Sequence, residues 1–212
     1  MVAYHVRIEG FRLRQKPTNE KGLIMEATKG KHRIRIELDD RPEDPREWEN
    51  MGRMFCWHSR HILGDEQPEA DPAEWLENYE KHYPGAVILP LYLYDHSGIT
   101  MSTASFSCGW DSGQVGWIVC SPKYWEGLAR EQVEKNLEGE IEVYDNFLTG
   151  SVYYFVTEVY REESEACPMC KRSDPGSWEL VDSCGGFYGY DPKENGMIEH
   201  LEDEYKELLD LI

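Results

Sequence analysis

A carboxylate set among small residues, close to an aromatic ring, recurs four times in the chain. The segments are Tyr94-Asp-His-Ser-Gly-Ile-Thr100, Trp110-Asp-Ser-Gly-Gln-Val-Gly116, Tyr144-Asp-Asn-Phe-Leu-Thr-Gly150 and Val181-Asp-Ser-Cys-Gly-Gly-Phe-Tyr-Gly189. Carboxylates brought to one rim by strand ends bind hard cations or do acid–base work, which makes Asp95, His96, Asp111 and Asp182 the candidate set. The same grammar also builds tight turns, because Asp accepts nearby backbone N–H groups and Gly takes positive φ. As supports for core strands the four segments need no catalytic role.

Thiols offer two further chemistries. The six cysteines lie at positions 56, 108, 120, 167, 170 and 184. Cys108 or Cys184 could act as a nucleophile if His96 and an Asp stood beside it, since the thiolate needs a neighbouring base. Cys167-Pro-Met-Cys170 has the spacing of half a zinc knuckle, in which two thiolates wrap a tetrahedral ion. Such a site needs two more ligands, from Cys184 or from Cys56, His58 and His61. Zinc, a metal-free loop and a redox pair all stay open for the Cys-x-x-Cys; no thioredoxin-like βαβ pattern surrounds it. The chain carries no Walker loop, no dinucleotide fingerprint and no His-Glu-x-x-His.

Taken together, Leu91-Tyr-Leu-Tyr-Asp-His-Ser-Gly-Ile-Thr100, Trp110-Asp-Ser-Gly-Gln-Val-Gly116, Tyr144-Asp-x-x-Leu-Thr-Gly and Asp182-Ser-Cys-x-Gly-Phe-Tyr-Gly resemble the motifs of a family of acidic proteins encoded by bacteriophages and mobile elements. The resemblance covers about residues 86 to 190, and departs from the family at Gly185, where an aromatic is usual. It implies no particular chemistry. It does imply a setting, the cytoplasm of a bacterial host cell.

The elements that must position these residues can be read from periodicity. Val2, Tyr4, Val6 and Ile8 alternate with polar residues, as do Ile34, Ile36 and Leu38, and both runs predict half-buried strands. Glu37 to Glu49 predicts a loop with a short helix after Pro45, and Met51 to Ile62 a strand or irregular core segment. Asp71 caps a predicted helix that starts at Pro72 and stops at Pro84-Gly85. From Pro84 to Cys120 the only charged side chains are Asp95 and Asp111, so this stretch is a packed centre with strands at 86–94 and 114–120. Pro122 to Leu148 predicts a long helix with Gly150 as its C-cap. Its exposed face is expected to carry Glu126, Glu131, Glu134, Glu138, Glu140 and Glu142. Residues 151–160 and 178–188 predict a hairpin. An acidic amphipathic helix over 192–212, with Ile198, Leu201, Tyr205, Leu208 and Ile212 inside, closes the chain. The expected fold is a single α+β domain over 1–212, mostly antiparallel, with basic N-terminal strands in 1–40 and the motif region in 84–190.

Charge narrows the function classes. The 212 residues hold 41 acids against 22 Lys and Arg, a net charge of −19, with enough aromatic residues to build a core. Residues 1–36 carry +6 and the remainder −25, so nucleic acid would be repelled over most of the surface. No run is long enough to span a membrane, and the alternating N-terminus lacks the layout of a signal peptide. The leading expectation is an inhibitor that occupies the basic groove of a host restriction or CRISPR protein, in the manner of a DNA mimic. The contact residues would be Glu131, Glu134, Glu138, Glu142, Glu202, Asp203 and Glu207. One alternative is a metal- or cysteine-dependent hydrolase on the Asp95/His96/Asp111/Asp182 turns. Another is an adaptor that binds nucleic acid through Arg33 and Arg35 of the basic strands.

Overall fold

The computed structural model describes residues 25–162, 169 and 176–212. The predicted strand over Val2–Ile8, together with Cys167 and Cys170, lies outside the described residues. The chain divides into two compact units, one made of residues 1–42 and 151–212, the other of residues 43–150. Each holds a four-stranded antiparallel sheet, and the expected α+β class is observed.

The first unit orders its strands as β1 (Met25–Lys29), β2 (His32–Leu38), β7 (Val152–Arg161) and β8 (Ser177–Tyr188) in the sequence β1-β2-β7-β8. Alternation does the sorting. Ile34 and Ile36 of β2 are fully buried against Ala27, Phe155 and Phe187, while Arg33 and Arg35 project from the other face. Over this core folds the C-terminal segment, burying Met197, Leu201, Tyr205, Leu208 and Leu209.

That segment is not one continuous helix. A 3-10 turn at Met197–His200 is followed by an extended Leu201 and Glu202, then the four-residue helix α3 (Asp203–Lys206) and a last 3-10 turn at Leu209–Leu211. Leu201, Tyr205, Leu208 and Leu209 keep the spacing of one helical stripe and are all buried, but the extended backbone at Leu201 and Glu202 interrupts the helix.

In the second unit the sheet runs β3-β6-β4-β5, from β3 (Arg53–Cys56), β6 (Ser112–Cys120), β4 (Val87–Asp95) and β5 (Ile99–Ser102). Helix α2 (Arg130–Leu148) covers one face. Its buried Val133, Leu137, Ile141 and Tyr144 step by four, four and three residues onto Met54, Leu91, Leu93 and Ile118. The helix begins eight residues later than its periodicity predicts. Pro122–Tyr124 forms a separate 3-10 turn, Gly127 takes φ +87° and Ala129 is extended, so the chain turns before α2 starts. At the other end Thr149 is the C-cap and Gly150, at φ +71°, the residue after it.

Helix α1 (Pro72–His82) starts as the sequence predicts, with the Asp71 carboxylate accepting the N–H groups of Ala73 and Glu74. Its Trp75 and Tyr79 pack on Phe55 on the sheet face away from α2. Gly116 is required by this sheet: a Cβ there would come within 1.9 Å of the Phe55 carbonyl oxygen. Among the described residues no helix is long and apolar enough to cross a membrane.

Candidate functional site

The antiparallel register of β4 and β6 brings two of the four motif segments together. Tyr94 pairs with Ser112, so the end of β4 meets the start of β6, and Asp95 N–H donates to the Asp111 carbonyl at 2.7 Å. Around this junction the structure gathers Asp95, His96, Cys108 and Asp111. His96 Nδ1 lies 3.2 Å from Asp111 Oδ2, and Cys108 Sγ lies 3.9 Å from the same oxygen. The Ser112 hydroxyl donates to the Cys108 carbonyl and fixes that loop. At the tip of the β4–β5 hairpin Ser97 takes φ +59°.

The loop after β3 completes the group. Because β3 also runs antiparallel to β6, the chain leaves Cys56 towards the Asp111 end of the sheet. Arg60 Nη2 then donates to Asp95 Oδ2 at 2.6 Å, and His61 Nε2 sits 3.1 Å from the same atom. His58 stacks on His61 with centroids 5.0 Å apart, and its Nδ1 accepts the N–H of His61 at 3.1 Å. Burial, then the neighbouring His61, pushes the His58 imidazole down, in keeping with a ring that accepts rather than donates. His58 and His61 carried a signal in the sequence, three residues apart beside an aromatic. Asp95 was a candidate there too, but its meeting with His61 was not legible.

This is an arrangement of paired charges. Each carboxylate already holds an imidazole, and Asp95 an arginine as well. The thiol and the imidazole at this junction both approach the same Asp111 oxygen, and no hydrogen bond joins Cys108 to His96 among the described residues. Burial pushes the Cys56 thiol up to about 12, which keeps it protonated. Among the described residues no group of three or more His, Cys, Asp or Glu side chains is arranged to hold a metal ion.

The other predicted site residues lie as follows. Asp182 and Cys184 belong to the first unit, on β8, where the Asp182 carboxylate accepts Ser183 N–H at 2.8 Å and Cys184 faces Phe155 across the ladder. The third motif segment, Tyr144 to Gly150, is the C-terminal end of α2 with its cap rather than a strand-end turn. Its Tyr144 hydroxyl accepts Gly64 N–H at 2.9 Å, and its Asp145 binds β5.

The acidic residues divide sharply. Glu131, Glu138 and Glu142 of α2 are exposed, and Glu134 is half-buried and bonded to Arg130 at 3.0 Å. At 100° per residue these four fall within an arc of about 80° and span about 16 Å of the axis, with Lys135 the one cation among them. Glu140 does not belong to the exposed row. It stands half a turn from Glu131 and points inward, accepting Met51 N–H at 2.8 Å, Gly52 N–H at 3.0 Å and Arg46 Nη1 at 3.1 Å. In the C-terminal segment Asp203 is paired with Lys206 at 3.0 Å and Glu207 with Lys29, while Glu202 is exposed.

Among the described residues, the cations of β1 and β2 are paired with acids of their own unit. Arg33 Nη2 and Arg35 Nε meet Glu158 Oε2 at 2.7 and 3.1 Å, Arg35 also pairs with Glu37, and the Arg33 guanidinium lies over the Trp178 ring at 4.3 Å. Glu158 faces Arg33 in the ladder, which is why its charge lands there.

No family model, curated protein or solved structure matches this chain.

Proposed function

We propose that this chain is an acidic binding protein of phage or mobile-element type that inhibits a host restriction or CRISPR protein by occupying its basic nucleic-acid surface, in the manner of a DNA mimic. The observation that carries this reading is the row Glu131, Glu134, Glu138 and Glu142 on the outer face of α2. Neighbours three and four residues apart on a helix lie about 5–6 Å apart, so the row presents like charges in line, as a strand of phosphates does.

The balance of the surrounding charge favours the same reading. The second unit has 20 acids against 7 Lys and Arg. Arg33 and Arg35, the cations an adaptor would use to hold a phosphate backbone, are neutralised by Glu158 and Glu37. An excess of acids, with Arg33 and Arg35 already neutralised, favours attraction of a basic partner.

Capture of partners from a bacterial host extract, followed by mass spectrometry and a salt titration, tests the reading. A captured nucleic-acid-binding protein whose affinity falls as salt is raised supports it. Recovery of no such protein, or an affinity indifferent to salt, overturns it.

A further inference from the structure

Three indoles converge on the sheet face opposite α2. Trp57 and Trp117 meet at 5.5 Å with their planes 80° apart, Trp57 and Trp75 at 5.5 Å and 69°, and Trp75 lies nearly parallel to Trp117 at 6.0 Å and 15°. All three are only partly buried. Beside them runs a groove of about 460 Å³, lined by Trp57 and Trp117 on the sheet side and by Pro72, Leu76, Glu77 and Glu80 of α1. A concave surface of aromatic walls with a few placed charges is the usual form of a binding site.

Its chemistry selects a cation. Indole faces are negative, and both charged residues in the lining are carboxylates. Glu77 is tied to Lys81 at 2.6 Å, whereas Glu80 makes no hydrogen bond or ion pair among the described residues, so one carboxylate is left for an incoming charge. The Trp57 N–H is already given to the Ala70 carbonyl at 2.9 Å, which fixes that indole and withdraws a donor that an anion would need. The indoles brace one another, so their walls stand before any ligand arrives.

A planar, weakly hydrated guanidinium suits such walls better than a compact ammonium. The chain itself uses this pairing twice, with Arg33 over Trp178 at 4.3 Å and Arg53 over Phe55 at 5.4 Å. We propose that the groove between α1 and β6 receives an arginine side chain of a basic protein partner, held against Trp57 and Trp117 with its charge answered by Glu80. This deepens the reading of the chain as a binder of basic proteins and rests on it for the nature of the partner. The preference for arginine rests on the groove alone.

The test is fluorescence anisotropy of labelled hexaarginine and hexalysine peptides with the whole chain. Hexaarginine should bind about threefold more tightly than hexalysine, and Trp117→Leu should abolish that preference. Glu80→Gln, an exposed change that leaves the fold intact, should weaken hexaarginine by about threefold. The triple variant E131Q/E138Q/E142Q should weaken both peptides alike and keep their ratio. Equal affinity for the two peptides, or an unchanged hexaarginine affinity in Glu80→Gln, overturns the proposal. If the arginine preference stands while host extracts yield no basic partner, the inhibitor reading falls and the groove remains; if the preference is absent while such a partner is captured, the reverse holds.

Discussion

The Asp145 carboxylate of α2 accepts the Thr100 hydroxyl of β5 at 2.6 Å, across 45 positions of sequence, and the same oxygen accepts Met101 N–H at 2.6 Å. Strand β5 is the edge of its sheet and only four residues long, and this side chain adds hydrogen bonds to the packing of Met101 against the helix. Asp145→Ala should cost about 2–3 kcal/mol in urea unfolding, because hydrogen bonds to a charged acceptor are lost and Met101 N–H is left buried without a partner. Amide exchange at Met101 should accelerate while that of β6 keeps its rate.

Arg46 is the hub of a second fixed network. Its side chain is 5% exposed and meets Asp65 at 2.8 Å, Glu140 at 3.1 Å and the Gly52 carbonyl at 2.8 Å. Removing one partner of such a pair strands the other charge. Glu140→Ala and Arg46→Ala should therefore each destabilise the chain by about 3–5 kcal/mol. The double variant should cost far less than the sum, as a double-mutant cycle by urea unfolding would record.

Stability should fall on the alkaline side. Burial raises the Cys56 thiol from its usual 9.0 to about 12, and burial also raises the Tyr144 phenol from 10.0 to about 12. Both groups keep their protons in the folded chain at pH values where the unfolded chain has released them. Their stabilisation is thus complete below pH 9 and declines as pH rises from 9 to 12, by about 1.4 kcal/mol per pH unit for each titrating group. Urea unfolding at pH 8 to 11 should show this decline, and Cys56→Ala should flatten it between pH 9 and 10. A stability unchanged from pH 8 to 11 would contradict the burial of both groups.

The exposed glutamates of α2 should behave in the opposite way. In E131Q/E138Q/E142Q the melting temperature should move little, since the three side chains touch no core and surface changes lie within about 0.5 kcal/mol. Affinity for a basic partner should fall and its salt dependence should become shallower, as surface plasmon resonance at two ionic strengths would show.

Local physics made much of the fold legible before any tertiary contact was known. Asp71 and Pro72 mark the start of α1, the apolar alternation of Ile34 and Ile36 marks β2, and the run from Pro84 to Cys120, charged only at Asp95 and Asp111, marks the central strands. Each signal is carried by residues within one element. Even the inward turn of Glu140 was available from its half-turn offset to Glu131, although a count of glutamates along the helix hides it. The break at Leu201 and Glu202 was not legible, because Leu201, Tyr205, Leu208 and Leu209 keep the spacing of one helical stripe across it.

What only the tertiary structure decided is which charges meet. Composition places cations in the first 36 residues and acids after them, and spacing puts four glutamates on one side of α2. That Arg33 and Arg35 would be cancelled by Glu158, that Asp95 would hold Arg60 and His61, and that Trp57, Trp75 and Trp117 would share one surface follow from strand register and chain return. Nothing in composition marks the boundaries of the two units near residues 42 and 150 either. Periodicity reports the face on which a residue stands. The partner it finds there comes from a segment dozens of positions away, through pairings that local propensity does not encode.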